Sequence, residues 1–356
     1  MDQEYTRRIE KIEAVLDRWL PTRPGTAWAE QVFPGLEGPI REELLAALIN
    51  PGRDLLSRGG KRWRPLLMTL VCESLGGGDA ALPLTPLVEF CHNASLIHDD
   101  IEDNSDERRG RPAAHILFGV DTAINGGCFL YFLPLSCIDA WGTAVPAEQK
   151  ARIYACWGEY IRKLHLGQAM DIHWHRNFGS LPGLDEYLVM CRFKTGCLAR
   201  LAAVLGAATA GPGFEAEGER LGKAAENFGV GFQILDDVKN LTSGIPGKKR
   251  GDDVVEGKKS LPVLLYLYRQ PERRDFTARC FAAARAGGAG APEVEALIGE
   301  LEAAGTLEEA AEQGRALIKE AGEEFAAPPA VRPAPGDPGA AGEARKLLAG
   351  LAELLG

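Results

Sequence analysis

The chain lacks the features that mark membrane, secreted and nucleic-acid-binding proteins. No apolar run in its 356 residues approaches the roughly 20 that span a bilayer. The first 20 residues, MDQEYTRRIEKIEAVLDRWL, have neither an apolar signal core nor a small-residue cleavage site. We therefore expect no transmembrane anchor and a cytoplasmic location. The 40 basic residues are outnumbered by 50 acidic ones, for a net charge of −10, which argues against nucleic acid as a partner.

Cysteine pairs and strand patterns are also missing. The 8 cysteines contain no C-x-x-C pair and sit mostly in apolar helical surroundings, which predicts reduced core thiols rather than zinc ligands or disulfides. No useful length shows β-alternation, and no fixed-period repeat is present. An apolar content of 46% is typical of a globular protein with a large core. We therefore predict an all-α fold with a central cavity between long helices.

Apolar periodicity and Gly/Pro breaks divide the chain into helices and connecting segments. We expect an amino-terminal helical extension over 1–50, a main helical domain over 51–326, a Pro/Ala/Gly-rich linker over 327–342 and a terminal short helix over 343–356. Helices are predicted over 4–20, 41–49, 65–75, 83–101, 118–139, 148–172, 193–209, 216–241 and 261–268, with a weakly helical stretch over 278–305.

Two acid clusters dominate the chain. The first, HDDIED, ends an apolar helix and places Asp99 and Asp103 four residues apart, on one helix face. The second, FQILDDVKN, places Asp236, Asp237 and Asn240 at the end of another apolar helix. Carboxylates on one face repel unless a cation lies between them, and hard oxygen ligands suit Mg²⁺. Facing each other across a cavity, the two clusters would hold a trinuclear Mg²⁺ cluster around one diphosphate.

Basic residues lie where they could bind that diphosphate. GGKRWR puts cations at a helix start, and RRGRP follows the first acid cluster; both patterns are typical of anion sites. Lys194 interrupts an apolar helix, where a lysine is costly unless an anion pairs with it. A glycine-rich loop, GIPGKKRGDDVVEGKKSLP, is expected to be a lid over phosphate. The alternative is that these cations are simply solvated.

These motifs, in this order, resemble those of the trans-isoprenyl diphosphate synthases, over about residues 52–268. HNASLIHDDIEDNS, LHLGQAMDIHW and FQILDDVKN are similar to the eukaryotic-style geranylgeranyl diphosphate synthases. The resemblance implies a single-domain isoprenoid synthase-type helical bundle, usually a homodimer, that condenses allylic diphosphates with isopentenyl diphosphate. Because Asn240 stands where many relatives have Asp, metal ligation should be weaker there.

The resemblance also implies roles for individual residues. Those expected to bind Mg²⁺ are Asp99, Asp103, Asp236, Asp237 and Asn240. Those matching the isopentenyl diphosphate pocket are Lys61, Arg64, His92 and Arg109, and those matching allylic diphosphate contacts are Arg108, Lys194, Gln233, Lys248 and Lys258. Thr195 and Gln233 would place oxygens near the developing carbocation. Catalysis is therefore expected to depend on Asp99, Asp103, Lys194, Thr195, Gln233 and Asp236.

Product length should follow cavity depth. Ala94 and Ser95, five and four positions before the first Asp, are small and leave a tunnel open. Tyr131, Phe132 and His165 match bulky floor positions of the geranylgeranyl-forming subfamily, which predicts a twenty-carbon product. Ordinary core packing of the two aromatic residues is the competing interpretation.

Three other functions fit parts of the pattern. A class I terpene cyclase shares the acid cluster but binds one diphosphate, which leaves GGKRWR and RRG without a purpose. A non-catalytic subunit of a heteromeric synthase should have lost acid-cluster residues, whereas both clusters are present. A ferritin-like di-iron bundle requires Glu-x-x-His pairs on facing helices, and none is suitably placed.

Overall fold

The computed structural model describes residues 2–142, 145–177, 179–244, 249–331, 338–351 and 353. Its first half confirms the all-α prediction, apart from one short hairpin. The helices of this half are α1 Asp2–Trp19, α2 Thr26–Val32, α3 Glu42–Ser57, α4 Trp63–Ser74, α5 Pro86–Glu102, α6 Ala114–Phe118, α7 Val120–Phe132, α8 Leu135–Asp139 and α9 Ala147–Arg176, with a 3₁₀ segment at Gly78–Leu84.

The second half is also helical. A π-helical turn at Arg192–Gly196 joins two of its helices, and a 3₁₀ turn at Pro271–Arg273 joins two others. Its helices are α10 Leu184–Cys191, α11 Cys197–Ala210, α12 Glu215–Thr242, α13 Asp252–Glu256, α14 Leu261–Arg269, α15 Arg274–Gly287, α16 Pro292–Ala303, α17 Thr306–Ala326 and α18 Pro338–Ala349. None of the described helices combines the length and apolar content that a membrane crossing requires.

Helices α4, α11 and α12 form the centre of the bundle. Helix α11 packs between α4 and α12, and α17 covers the other side of α12. The sequence of α11, CLARLAAVLGAATA, combines strong helix formers with small side chains, so neighbours approach closely. A Cβ on Gly206 would lie 2.4 Å from the backbone oxygen of Met68 in α4. Close contact therefore joins α11 to α4 at the core.

The two ends of the chain pack together on this centre. Ile12 and Leu16 of α1 and Leu348 of α18 are fully buried in the main core. The Tyr5 hydroxyl donates to the backbone oxygen of Leu347 at 2.5 Å. Both α1 and α18 also pack against α4. The expected boundary between residues 50 and 51 falls inside α3.

Three helix predictions were wrong. Helix α3 does not stop at Pro51 but runs to Ser57, because the burial of Leu55 and Leu56 beyond the proline offsets one lost hydrogen bond. The predicted helix over 118–139 covers the last residue of α6, all of α7 and all of α8, since Gly119 adopts a φ of +87° and Pro134 caps the start of α8. The stretch 278–305 holds two regular helices, α15 and α16, rather than a weak one.

A hairpin follows the first acid cluster. Strands β1 (Glu107–Arg108) and β2 (Arg111–Pro112) pair antiparallel. The two residues between them, Arg109 and Gly110, have φ angles of +52° and +73°, as a tight hairpin turn requires. The turn presents two consecutive arginines beside the end of α5.

Candidate active site

A cavity of about 1080 Å³ opens between the central helices. Its charged wall comes from the start of α4, the end of α5, the π-helical turn and the last third of α12. Its apolar and aromatic wall comes from α7 and α9, through Ile124, Tyr131, Trp157, Ile161 and Leu164. The cavity therefore joins a polar half that suits phosphate to an apolar half that suits a hydrocarbon chain.

The first acid cluster lies at the end of α5. The backbone N–H of Asp103 donates to the backbone oxygen of Asp99 at 2.8 Å, which places the two residues one turn apart, as predicted. Asp99 lines the cavity and accepts hydrogen bonds from Gln168 at 2.9 Å and Lys194 at 3.2 Å. Asp103 Oδ2 is buried and has no hydrogen-bond partner. Burial and the Asp99 charge raise the pKa of Asp103 to about 7.

The second acid cluster faces the same cavity from α12. Asp236 and Asp237 both line it, and burial is the main cause that raises their pKa values, to about 6 and about 7 respectively. Asp237 accepts from Gln233 Nε2 at 2.8 Å and from the Tyr187 hydroxyl at 3.2 Å. Gln233 Oε1 in turn accepts from Thr195 at 2.7 Å. This chain of hydrogen bonds orients Gln233 and engages both oxygens of Asp237.

The π-helical turn positions Lys194 and Thr195. Such turns often mark functional sites because the extra residue redirects side chains. Two glycines let neighbouring helices approach: a Cβ on Gly167 of α9 would lie 2.3 Å from the Lys194 backbone nitrogen, and one on Gly229 of α12 would lie 2.9 Å from Cα of Gly196. The turn is therefore held tightly between α9 and α12.

The ammonium of Lys194 lies between two acids. It is 2.5 Å from Asp171, which is 6% exposed, and 3.2 Å from Asp99. Burial acts to lower the pKa of Lys194, but Asp171 and Asp99 raise it above the ordinary lysine value. The lysine is thus charged and lies beside the first acid cluster.

The described end of the glycine-rich loop brings a second lysine to the cavity. Lys258 lines the wall and forms ion pairs with Glu256 at 2.7 Å and Asp253 at 3.4 Å. Lys248, the other predicted lysine of this loop, lies outside the described residues. Asn240 does not line the cavity: its Oδ1 accepts from the Asp253 backbone N–H at 3.1 Å and its Nδ2 donates to the Lys249 backbone oxygen at 3.5 Å. Both polar atoms of the Asn240 amide therefore contact the backbone of the loop in this structure.

A separate group of cations lines the cavity around the start of α4. Lys61, Arg64 and Arg109 are these cations, and His92 also lines this wall. Burial lowers the pKa of Arg64 to about 10, and its Nε is buried without a hydrogen-bond partner. Burial and the Arg64 charge lower the pKa of His92 well below the ordinary histidine value. An anion here would satisfy the arginine and relieve the repulsion between the cations.

The remaining predicted residues divide between the cavity and its surroundings. Arg108 lines the cavity, and its guanidinium donates to Asp100 Oδ1, 2.8 Å from Nε. Ser95, Tyr131, Phe132 and His165 also form the wall. Ala94, by contrast, is fully buried in the core and lies outside the wall, because successive helix positions point about 100° apart and Ser95 takes the cavity side.

Tyr131 lies between two histidine rings. The His98 ring stacks on it with a centroid distance of 5.7 Å and an interplanar angle of 4°, and the His165 ring lies 5.0 Å away at 54°. Tyr131 is 7% exposed, whereas its neighbour Phe132 is 61% exposed. The three rings, the ring partition, lie together in the wall of the apolar half of the cavity.

The donor set fits a hard divalent cation that brings further ligands with it. Asp99, Asp103 and Asp236 offer carboxylate oxygens, and the buried, unpartnered Oδ2 of Asp103 marks a position that a cation would satisfy. Within the described residues, no three acid, histidine or cysteine groups converge closely enough to hold an ion by themselves. Oxygens of a bound diphosphate and water would complete the coordination.

A family model described as polyprenyl synthetase matches residues 46–294. The chain belongs to the polyprenyl synthetase family. A geranylfarnesyl diphosphate synthase of Aeropyrum pernix is 36% identical over 229 residues, 62% of this chain and 70% of the relative. A geranylgeranyl pyrophosphate synthase of Eremothecium gossypii is 35% identical over 236 residues, 64% and 72% of the two chains.

Solved structures agree with the fold. The geranylgeranyl pyrophosphate synthetase of Pyrococcus horikoshii superposes with a TM-score of 0.79 at 27% identity and covers 99% of this chain and 98% of its own. A polyprenyl synthase of Caulobacter crescentus, complexed with calcium and isoprenyl diphosphate, has a TM-score of 0.75 at 24% identity, which shows the fold alone, and covers 99% and 97%. The isoprenoid synthase bundle and the prenyl diphosphate synthase activity predicted from the sequence are thus confirmed. This family uses divalent metal ions.

The family motifs contain most of the residues of the site. Some residues of the site, however, were not among the predicted site residues. Gln168 and Asp171 belong to the GQAMD motif and hold Asp99 and Lys194, so the motif was a usable signal. His98 is the first residue of the HDDIED motif and so had the same kind of signal, whereas Tyr187 had none. Tyr187 lies in an unremarkable apolar helix, and only the fold brings it to Asp237.

Proposed function

We propose that this polyprenyl synthetase joins an allylic diphosphate to isopentenyl diphosphate with Mg²⁺ and releases mainly geranylgeranyl diphosphate. The observation that best supports the proposal is one cavity that two acid clusters and two separate cation groups share. Two anionic substrates require two cationic subsites. A terpene cyclase binds a single diphosphate and has no use for the second.

The polar half supports departure of the allylic diphosphate. We expect Asp99, Asp103 and Asp236 to hold the metal, with three Mg²⁺ per site. When bound, Mg²⁺ would neutralise charge that develops on the leaving diphosphate. Lys194 and Lys258 lie next to these acids, so their charges stabilise the same leaving group.

The apolar half supports the carbocation that remains. Its wall presents Ile161, Leu164 and Phe232, and the imidazoles of His98 and His165 lie against the Tyr131 ring. Thr195 and Gln233 place oxygens at the boundary of the two halves, fixed by their mutual 2.7 Å hydrogen bond. The double bond of isopentenyl diphosphate is then the available nucleophile, and the released diphosphate takes the proton, so no side-chain base is required.

The ring partition supports the proposed product length. Tyr131 and His165 line the apolar half of the cavity, and the His98 ring stacks on Tyr131. Relatives of similar identity carry the names geranylfarnesyl and geranylgeranyl synthase, so identity alone does not separate these products. The position of these three rings in the apolar half of the cavity is the feature on which we base the twenty-carbon product.

Product analysis tests the function. The protein is incubated with Mg²⁺, labelled isopentenyl diphosphate and each allylic starter in turn, and the dephosphorylated products are separated by chromatography. We expect a dominant C20 alcohol. A hydrocarbon formed from the allylic substrate alone would instead identify a cyclase, and no turnover with any starter would point to a non-catalytic subunit.

We also propose that the protein is a homodimer. Val120, Ile124, Cys128 and Phe132 form an exposed stripe at four-residue spacing on α7, with exposures of 50%, 43% and 61% for the first, second and last. Ile124, Cys128 and Phe132 also line the cavity, so a second copy on this stripe would close the apolar half against water. Light scattering after size exclusion should give twice the chain mass, and Phe132→Glu should give a monomer. A wild-type monomer would refute the dimer.

A further inference from the structure

A buried arginine, Arg62, lies next to the cation group at the start of α4. Arg62 lies between Lys61 and Trp63 in the basic loop, the segment GGKRWR at residues 59–64. Its side chain is 1% exposed. Its φ of +48° is left-handed, a conformation that costs free energy in any residue with a Cβ. Such a conformation persists only when surrounding contacts hold it.

The guanidinium of Arg62 is bound by the protein itself. It donates to Glu89 Oε1 at 2.8 Å, to Glu13 Oε1 at 2.6 Å, to the Leu56 backbone oxygen at 2.7 Å and to the Gly59 backbone oxygen at 3.2 Å. Contacts on Nε and on both terminal nitrogens fix the orientation of the planar group. Arg62 therefore acts on its surroundings rather than reaching for a substrate.

These contacts locate the substrate-facing cations. Glu89, 3% exposed, lies three residues before His92 on α5, so its pair with Arg62 ties the loop to that helix. A Cβ on Gly60 would lie 3.1 Å from Nη1 of Arg62 and 3.1 Å from Nη2 of Arg109. The loop backbone thus packs between two guanidinium groups, and a shift of Arg62 would move Lys61 and Arg109 with it.

The amino-terminal helix provides one of the two acids. The described ion pairs that join α1 to other helices or segments are Arg8–Glu73, Lys11–Asp79, Glu13–Arg62 and Asp17–Arg53. Of these, the Glu13 pair alone ends in the basic loop. Helix α1 lies outside the residues that match the family model, 46–294, yet this contact connects it to the active-site cavity.

We propose that Arg62 is a positioning residue for the isopentenyl diphosphate subsite and that Glu13 of α1 holds it in its working orientation. The inference rests on the proposed function, which places that substrate against Lys61, Arg64, His92 and Arg109. Removing the Glu13 charge leaves the Glu89 pair intact but frees one edge of the guanidinium. The loop then samples positions in which its cations no longer converge.

Glu13→Gln tests the proposal with a conservative change. We expect the KM for isopentenyl diphosphate to rise about 3- to 10-fold, the loss typical of one half-buried ion pair. The KM for the allylic diphosphate and the kcat should stay within about 2-fold of wild type, because the contacts of Lys194 and Lys258 are unchanged. Titration calorimetry of isopentenyl diphosphate without metal should show the same loss of affinity.

Asp17→Asn is the matched control. It makes the same acid-to-amide change on the same helix and breaks the pair with Arg53, which lies outside the basic loop. Arg62→Lys provides a second variant that keeps the positive charge but loses the planar guanidinium. It should weaken the binding of isopentenyl diphosphate more than Glu13→Gln does. Thermal unfolding of each variant separates local effects from lost stability.

The outcomes distinguish the inference from the function. If wild type condenses both substrates but Glu13→Gln matches Asp17→Asn in its KM for isopentenyl diphosphate, the inference is wrong. It is also wrong if the KM values for both substrates rise together, in step with lost thermal stability. If wild type does not turn over, the proposed function fails, and calorimetry still compares the variants.

Discussion

The buried Asp103 carboxylate should destabilise the metal-free protein, and Asp103→Asn should relieve that cost. Its pKa is raised from 3.8 to about 7 by burial, by Asp99 and by a further acid. A folded-state pKa above the unfolded-state value means that protonation favours the fold, so this stability is present below about pH 4 and is lost as the pH rises through 7.

The magnitude follows from the shift. A difference of about 3 pKa units corresponds to about 4 kcal/mol at 1.36 kcal/mol per unit. We take about half of that value, because neighbouring groups relax around a buried charge. Asn has nearly the same shape and no charge. At pH 8 with a chelator, Asp103→Asn should therefore raise the free energy of unfolding by about 2 kcal/mol, which corresponds to a few degrees in Tm.

Denaturation at two pH values is the assay. The gain from Asp103→Asn should be large at pH 8 and much smaller at pH 5, where the wild-type carboxyl is protonated in the fold. Mg²⁺ with pyrophosphate should stabilise wild type and have little effect on the variant, which should also lose most activity. Asp106→Asn, a change at an exposed acid of the same run, is the control. An equal gain at both pH values, or none at pH 8, would refute the reasoning.

Three further predictions concern product length, pH and the second acid cluster. Tyr131→Ala should open the ring partition and give a longer product on chromatography. Phe132→Ala, at a position 61% exposed, should lengthen the product less. An unchanged product from Tyr131→Ala would disprove the floor assignment. At low Mg²⁺, kcat/KM should rise with pH through 6 to 7, because Asp236 and Asp103 lose protons with pKa values of about 6 and about 7. Saturating Mg²⁺ should move the midpoint of this rise to lower pH. A midpoint independent of Mg²⁺ would argue against metal binding by these acids. Tyr187→Phe removes a 3.2 Å hydrogen bond to the second acid cluster and should reduce kcat about 3- to 10-fold with little change in Tm, so wild-type kcat would exclude a role for this hydroxyl.

Local patterns were enough to predict most of the helices and both acid clusters. Apolar periodicity located α5, α9 and α12, and four-residue spacing placed Asp99 and Asp103 on one turn. The helix ends were less predictable. Pro51 continues a helix because buried leucines follow it, whereas Gly119 ends one because of its positive φ.

The sequence by itself determined which side chains could hold a diphosphate, since helical spacing and residue chemistry are local properties of the chain. Tertiary structure alone decided which of them share a cavity. It buried Ala94 in the core and placed the Asn240 amide against the loop backbone. It also brought Tyr187 to Asp237 and paired Arg62 with Glu13 of α1. The physical reason is that the rotation of each helix about its axis is set by packing against neighbours distant in the chain, and no periodicity within one segment contains that information.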